Sequence, residues 1–178
     1  MHGRRDSCIV RDVVIPAHTN QDFPPELGET LPPEFLDWLL DHTSAMEQKM
    51  GVQYLLIDGQ ETIVRMPVEG NTQNTGMLHG GASCLLAESA SSLAACAYGW
   101  PDRLGFGATL FARYQRPVET GLVTAVARLH RVAARSLEYR VELFDDSERQ
   151  VSDVTVKVQL ARAPRSSKPA PSSNRLDR

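Results

Sequence analysis

The chain has no stretch approaching the ~20 consecutive apolar residues that a membrane-spanning helix needs, so no membrane partner is expected. Arg4 and Arg5 are followed by no apolar segment, so the expectation is a chain without a secretory leader. Cysteine is scarce: Cys8, Cys84 and Cys96. On one helix Cys84 and Cys96 would lie roughly 18 Å apart, beyond disulfide reach. No Cys-x-x-Cys pair and no His/Cys cluster has the spacing of metal ligands, so no metal is expected. A reducing cytoplasm is the compartment that fits. No Gly-x-Ser-x-Gly elbow is present, which leaves Ser89, Ser91 and Ser92 better read as helix-packing residues than as members of a Ser–His–acid triad. No internal repeat is visible.

What is present is ordinary for one globular domain: 178 residues, 42% hydrophobic and 23% charged. The net charge of −3 conceals an asymmetry. In the last eighteen residues Arg162, Arg165, Lys168, Arg175 and Arg178 stand against Asp177, giving +4 and leaving −7 for the rest. An acidic body argues against a nucleic-acid partner. The Ser/Pro-rich basic tail, 163–178, has the composition of a disordered segment.

Residues 1–31 show no period, contain Pro16, Pro24 and Pro25, and read as an irregular arm. Pro32-Pro33-Glu34 is a helix start, with proline in the first turn and an acid at the positive end. Phe35, Trp38, Leu39, His42 and Met46 follow at helical spacing, predicting one helix that ends near Gly51. Val52–Ile57 and Thr62–Val68 predict strands joined at Asp58-Gly59. A helix is predicted from about His79 to Tyr98, apolar on nearly every side and therefore buried. Residues 106–116 and the alternating runs 123–129, 137–143 and 154–160 predict four more strands, and the short turns between the later ones make these antiparallel. The expected fold class is α+β: one domain over 32–162, an antiparallel sheet around a buried helix.

The chemistry concentrates in Gln73-Asn74-Thr75-Gly76-Met77-Leu78-His79-Gly80-Gly81-Ala82 and the helix it opens, which carries a single acid, Glu88. A Gly-Gly step at a helix start presents unpaired N–H groups. Glycine also lets a ligand approach the backbone closely. A carbonyl against the Gly80 or Gly81 N–H would be polarised, while Glu88 attacks or deprotonates water. A thioester suits this pair, because its thiolate leaving group needs no general acid. Gly80 and Glu88 are separated by about 12 Å of helical rise, so if both act on one carbonyl they come from two chains. The plainer alternatives are that Glu88 is a solvated helix former and that His79 is a cap or a structural histidine.

Asn-Thr-Gly-Met-Leu-His-Gly-Gly-Ala followed by Leu-Ala-Glu-Ser-Ala resembles the central motif of the hotdog-fold acyl-CoA thioesterases. It is most similar to the hydroxybenzoyl-CoA thioesterase branch, which carries a glutamate on the central helix. The resemblance runs from about residue 50 to 162. It implies a hotdog fold and catalytic roles for Glu88 as carboxylate, Gly80 as backbone donor, His79 as loop former, and Gln73 and Ser92 near the attacking water. It implies an acyl-CoA substrate, small or medium and in some relatives aromatic, with no cofactor beyond the coenzyme A of the substrate. It also implies a homodimer as the minimal unit, or a homotetramer. Arg116-Pro117-Val118 and Arg135-Ser136 match places where relatives contact coenzyme A, so Arg116, Arg135 and Ser136 are the candidate nucleotide contacts, with Arg131 a weaker one. Leu110 or Phe111 stands where relatives often carry Asn. Met77, Leu78, Trp100, Phe106 and Phe111 are candidates for an acyl pocket or for plain core.

Two other classes remain open from the sequence. A hotdog hydratase or dehydratase needs a histidine beside its acid, and Glu88 has none on its own helix. A non-catalytic acyl-CoA-binding module would bind without turnover.

Overall fold

The computed structural model describes residues 31–42 and 44–163. The predicted arm, up to residue 30, and the basic tail beyond Ala163 lie outside the described residues, as does Cys8. In chain order the elements are α1 (Pro33–Asp41), α2 (Ala45–Met50), β1 (Gln53–Leu56), β2 (Glu61–Pro67), α3 (Gly80–Gly99), β3 (Arg103–Tyr114), β4 (Leu122–Val132), β5 (Ser136–Asp145) and β6 (Gln150–Arg162). The strands form one six-stranded sheet in the order β1-β2-β4-β5-β6-β3, antiparallel at every pairing. The sheet wraps α3, the hotdog arrangement.

The wrap follows from side-chain size. One side of α3 offers Leu86, Ala87, Ala90, Ala94 and Ala95, all fully buried. These are mostly methyl-sized, so the sheet can close on them. The partners come from the strands: Val64, Met66, Val123, Ala125, Val141, Leu143, Val154 and Val156 share one core with the helix. β2 alternates half-buried and buried along its whole length, as a strand with one face on the core must. Tyr139 is fully buried and its hydroxyl donates to Gly59 O at 3.0 Å, which ties β5 to the β1–β2 turn.

Two predicted boundaries are corrected. The single N-terminal helix ending near Gly51 is two helices. His42 closes α1, and Ser44 caps α2 by accepting from Glu47 N–H at 3.4 Å. The break removes Met46 from the apolar stripe and leaves it 57% exposed. The strand predicted over 106–116 begins earlier and ends earlier, at Arg103 and Tyr114. Its pairing with β6 starts at Arg103↔Arg162, and Pro117 cannot donate to a ladder.

α1 rests on the second half of α3 through a smaller core of Phe35, Leu39, Ile57, Leu93, Cys96 and Leu104. Phe35 and Leu39 are almost wholly buried, each contributing roughly 1.5–3 kcal/mol. Phe35 meets Trp100 edge-on at 5.2 Å, and Trp38 packs against both rings. This docking fixes where α1 sits relative to Glu88. Among the described residues no helix is long and apolar enough to cross a membrane.

Candidate active site

The loop before α3 is held at three points. Asn71, buried to 8% exposure, donates from Nδ2 to Met50 O and Pro67 O at 2.9 and 2.8 Å. Its own carbonyl accepts from His79 N–H, and Leu78 N–H donates to Val118 O. Within the loop, Gln73 N–H donates to Met77 O and Gly76 N–H donates to Gln73 O, with Gly76 at a φ of +83°. Gln73 is exposed on this loop.

The two glycines that open α3 do different jobs. His79 is the N-cap, and its Nδ1 accepts from Gly81 N–H at 2.8 Å. A Cβ on Gly81 would sit 3.0 Å from that same Nδ1, so glycine there makes room for the capping ring. A Cβ on Gly80 would sit 2.8 Å from Cζ of Tyr114. The expectation that Gly80 is small so that a ligand can approach is therefore corrected: within the chain, Tyr114 occupies that space. The Tyr114 hydroxyl donates to Gly80 O at 3.1 Å and lies 3.1 Å from Cys84 Sγ. The bond to Cys84, followed by burial, pushes the Tyr114 phenol up to about 12, so it stays protonated and can serve as a donor. Of the two N–H groups considered, Gly81's is taken by the cap. For the Gly80 N–H no partner is present among the described residues.

Glu88 lies two turns further along. It is exposed and faces β3, where a Cβ on Gly107 would come within 3.0 Å of its Cδ and closer still to Oε1. Glu88 and Ser92 also line a cavity of about 280 Å³ whose other walls are Trp38, Leu39 and His42 from α1, Ser44 and Glu47 from α2, and Tyr54 from β1. None of the proposed pocket residues Met77, Leu78, Trp100, Phe106 and Phe111 lines it. Phe111 instead points to the outer face of the sheet, into a groove shared with Arg113 and Arg128. The sequence reading missed the α1–α2 wall because its residues lie about 40 positions before Glu88 and reach it only through the docking of α1. The signal for Gly107 was visible: a Gly-x-Gly inside a strand marks close approach of another group.

The structure therefore gathers Gln73, His79 and Gly80 at the start of α3, and Glu88 and Ser92 at the cavity. It does not gather the coenzyme A candidates. Arg116 is exposed at the end of β3, its backbone N–H bonded to Val151 O and its guanidinium to Gln150 O. Arg135 sits in the β4–β5 turn, where its carbonyl accepts from Leu160 N–H, and Ser136 follows it. Val151 and Leu160 lie at opposite ends of β6, so the two arginines stand about 30 Å apart within one chain. Arg131 is exposed and faces Glu138 across the β4–β5 ladder. Among the described residues no group of His, Cys, Asp and Glu could hold a metal ion. Cys84 and Cys96 are free thiols, and burial raises that of Cys96 to about 11.

Comparison with known proteins adds lineage to this geometry. Residues 75–152 match the thioesterase superfamily, a span containing the His79–Gly81 cap, Glu88 and β3. The proofreading thioesterase EntH of Klebsiella pneumoniae is 30% identical over 108 residues, covering 60% of this chain and 79% of that protein. The 1,4-dihydroxy-2-naphthoyl-CoA hydrolase of Listeria monocytogenes is 28% identical over 120 residues, covering 66% and 98%. Among solved structures, a thioesterase from Haemophilus influenzae superposes with a TM-score of 0.64 at 22% identity, over 67% of this chain and 85% of that one, a likeness of fold.

Proposed function

The chain belongs to the thioesterase superfamily and is a thioester hydrolase of that class, and from that premise we propose that it hydrolyses an acyl-CoA at a site shared between two copies of the chain. The Gly80 N–H binds the thioester carbonyl oxygen and polarises it. Glu88 of the partner subunit attacks the carbonyl carbon, directly or through a water that it deprotonates. The thiolate of coenzyme A leaves as the carbonyl re-forms; on the direct route water then hydrolyses the resulting Glu88 anhydride to the free acid. Preorganised donors stabilise the developing oxyanion without reorganisation at the moment of reaction.

The observation that carries this reading is the unused Gly80 N–H at the start of a helix that also bears Glu88. The bond from Gly81 to His79 leaves one donor in this first turn for substrate. Gln73 and Ser92 would hold the attacking water, one from each subunit. Hydrolysis is tested by following thiol release from a panel of aliphatic and aromatic acyl-CoAs. Glu88→Ala is expected to lower kcat at least a hundredfold, about 3 kcal/mol of lost transition-state stabilisation. Unchanged turnover in that variant would remove Glu88 from the mechanism.

The shared site has support in β3. This strand is an edge of the sheet, twelve residues long, with no charge between Leu104 and Ala112. Phe106, Leu110, Phe111 and Tyr114 are exposed on it, at 51%, 37%, 67% and 57%. Long apolar edges ending in water invite aggregation, and natural sheets shorten or charge them. The other edge, β1, is four residues long and irregular, as that rule expects. Two β3 strands paired about a two-fold axis would cover the edge. Antiparallel pairing also brings the Gly80 end of one chain toward Gly107 and Glu88 of the other. It would likewise bring Arg116 of one chain to the end where Arg135 of the other lies, which suits one coenzyme A held by two subunits.

One observation favours a second reading. A hydratase needs a histidine near its acid, and the cavity containing Glu88 also contains His42, from α1. Loss of an enoyl-CoA double bond without thiol release would establish that chemistry instead.

A further inference from the structure

The Gly80–Gly81 step is the least constrained backbone in the candidate site. Neither residue has a Cβ to restrict its dihedrals. Both lie in the first turn of α3, where the N–H groups have no partner within the helix. An oxyanion donor is effective only when its direction is set before the reaction. The Gly80 N–H therefore needs support from outside the helix.

That support comes from two sides. Ahead of the step, His79 N–H donates to Asn71 O at 2.9 Å. Behind it, the Gly80–Gly81 peptide is held at both of its polar atoms. Its N–H donates to His79 Nδ1 at 2.8 Å, and its oxygen accepts from the Tyr114 hydroxyl at 3.1 Å. Phenol, peptide and imidazole thus form one chain of donors and acceptors running in one direction, an arrangement in which each bond strengthens the next. The bond to His79 lies within the cap and moves with it. The bond from Tyr114 comes from the sheet, 34 positions away in sequence.

Tyr114 is well placed to act as a fixed point. It is the last residue of β3 and pairs with Ser152 of β6. The next residue, Gln115, donates its N–H to Val151 O at 2.8 Å, so the backbone on both sides of the ring is tied down. The ring itself lies against Gly80: a Cβ there would meet Cζ at 2.8 Å, Oη at 3.0 Å and Cε1 at 3.2 Å. Cys84 Sγ, one turn along α3, lies 3.1 Å from the same hydroxyl and keeps it over the first turn.

We propose that Tyr114 is a positioning residue: by holding the Gly80–Gly81 peptide against the end of β3, it aims the Gly80 N–H at the thioester carbonyl. Its hydroxyl proton is committed to Gly80 O, so it acts through the backbone and not on the substrate. The proposal rests on the thioesterase reading above and deepens it.

The test compares the full chain with Tyr114→Phe, which keeps the ring against Gly80 and removes the hydroxyl. With the acyl-CoA that is turned over fastest in a panel, kcat is expected to fall about tenfold or more while KM changes by less than about twofold, because slight misplacement of a catalytic group is costly. A merely structural loss would lower the amount of folded protein and leave kcat per folded site unchanged. The second readout needs no substrate. In protein labelled with nitrogen-15 at glycine only, the Gly80 amide should have the order parameter of a rigid backbone, about 0.85, and fall below about 0.6 in Tyr114→Phe, with Gly107 in β3 as the unchanged reference. A Gly80 amide equally rigid in both proteins, or an unchanged kcat in the variant, would overturn the proposal and leave the thioesterase reading standing. Loosening of the Gly80 amide, with no thiol released from any ester by the unaltered protein, would fail the thioesterase reading and leave Tyr114 as the group that orders this helix start.

Discussion

At the scale of the residue, His79-Gly80-Gly81 is a packing solution before it is a catalytic one. Gly81 clears the capping ring and Gly80 clears Tyr114, and the bond that fixes the cap removes one of the two candidate donors. This separates the N–H of Gly80 from its size. Gly80→Ala adds the clash with Tyr114 and keeps the N–H. Gly80→Pro adds a similar clash and deletes the N–H, at the first helical position, where proline is tolerated. His79 precedes it at φ −71° and ψ 130°, which suits a residue before proline. Relative to Gly80→Ala, Gly80→Pro is expected to lose a further 10²–10³ in kcat, the usual value of one oxyanion donor, measured by thiol release. Equal rates in the two variants would take the donor role from Gly80. Gly107 is the complementary case. A Cβ there meets the far end of a flexible side chain, so Gly107→Ala should leave the melting temperature almost unchanged yet push the Glu88 carboxylate aside. A fall in kcat of tenfold or more at constant thermal stability is the expected result. Glu88 and the glycine pair were legible in the sequence as chemistry. Tyr114 and Asn71 were not, because their meaning lies in what stands opposite them in space.

At the scale of the element, the period-two strands and the small-residue helix were readable because each obeys one local rule along its length. The misreading fell between α1 and α2. There Ser44 supplies a cap that the apolar spacing Trp38-Leu39-His42-Met46 disguised as continuing helix. That break lets Glu47 and Tyr54 face the cavity, so an error of a few residues in secondary structure concealed a whole wall of the candidate site. Asn71 is the joint on which several elements depend, since its amide bonds the end of α2 and the end of β2, and its carbonyl bonds the residue that caps α3. Asn71→Ala strands two carbonyls at a buried position. It should cost about 2–6 kcal/mol, at ~1–3 kcal/mol for each unsatisfied group, read from denaturant unfolding with an unchanged m-value. A loss below 1 kcal/mol would mean that water reaches those carbonyls.

At the scale of the whole molecule, the composition of α3 predicts burial on every side, yet within one chain its flank at Gly81, Cys84, Leu85 and Glu88 is at least partly open. A sequence records that a surface is apolar but not which copy of the chain covers it, so the fold was legible and the assembly was inferred from a distance. The shared site has a direct consequence for mixtures. Gly80→Pro and Glu88→Ala should each be inactive alone. Refolded together in equal amounts, half of the dimers would be mixed, each with one intact site of two, giving about a quarter of the normal activity. Activity no higher than the separate variants would place both groups in one chain. The strand order also sets a clock. β3 is made well before β6, which among the described residues is its only partner strand and the last in sequence. Roughly fifty further residues must leave the ribosome first, a delay of about 3–10 s at ~5–20 residues per second. Until then both rims of the apolar strand are bare and the wall opposite Glu88 is missing. A nascent chain is thus at its most adhesive while it is still catalytically blank, and the C-terminal strand is what ends that interval.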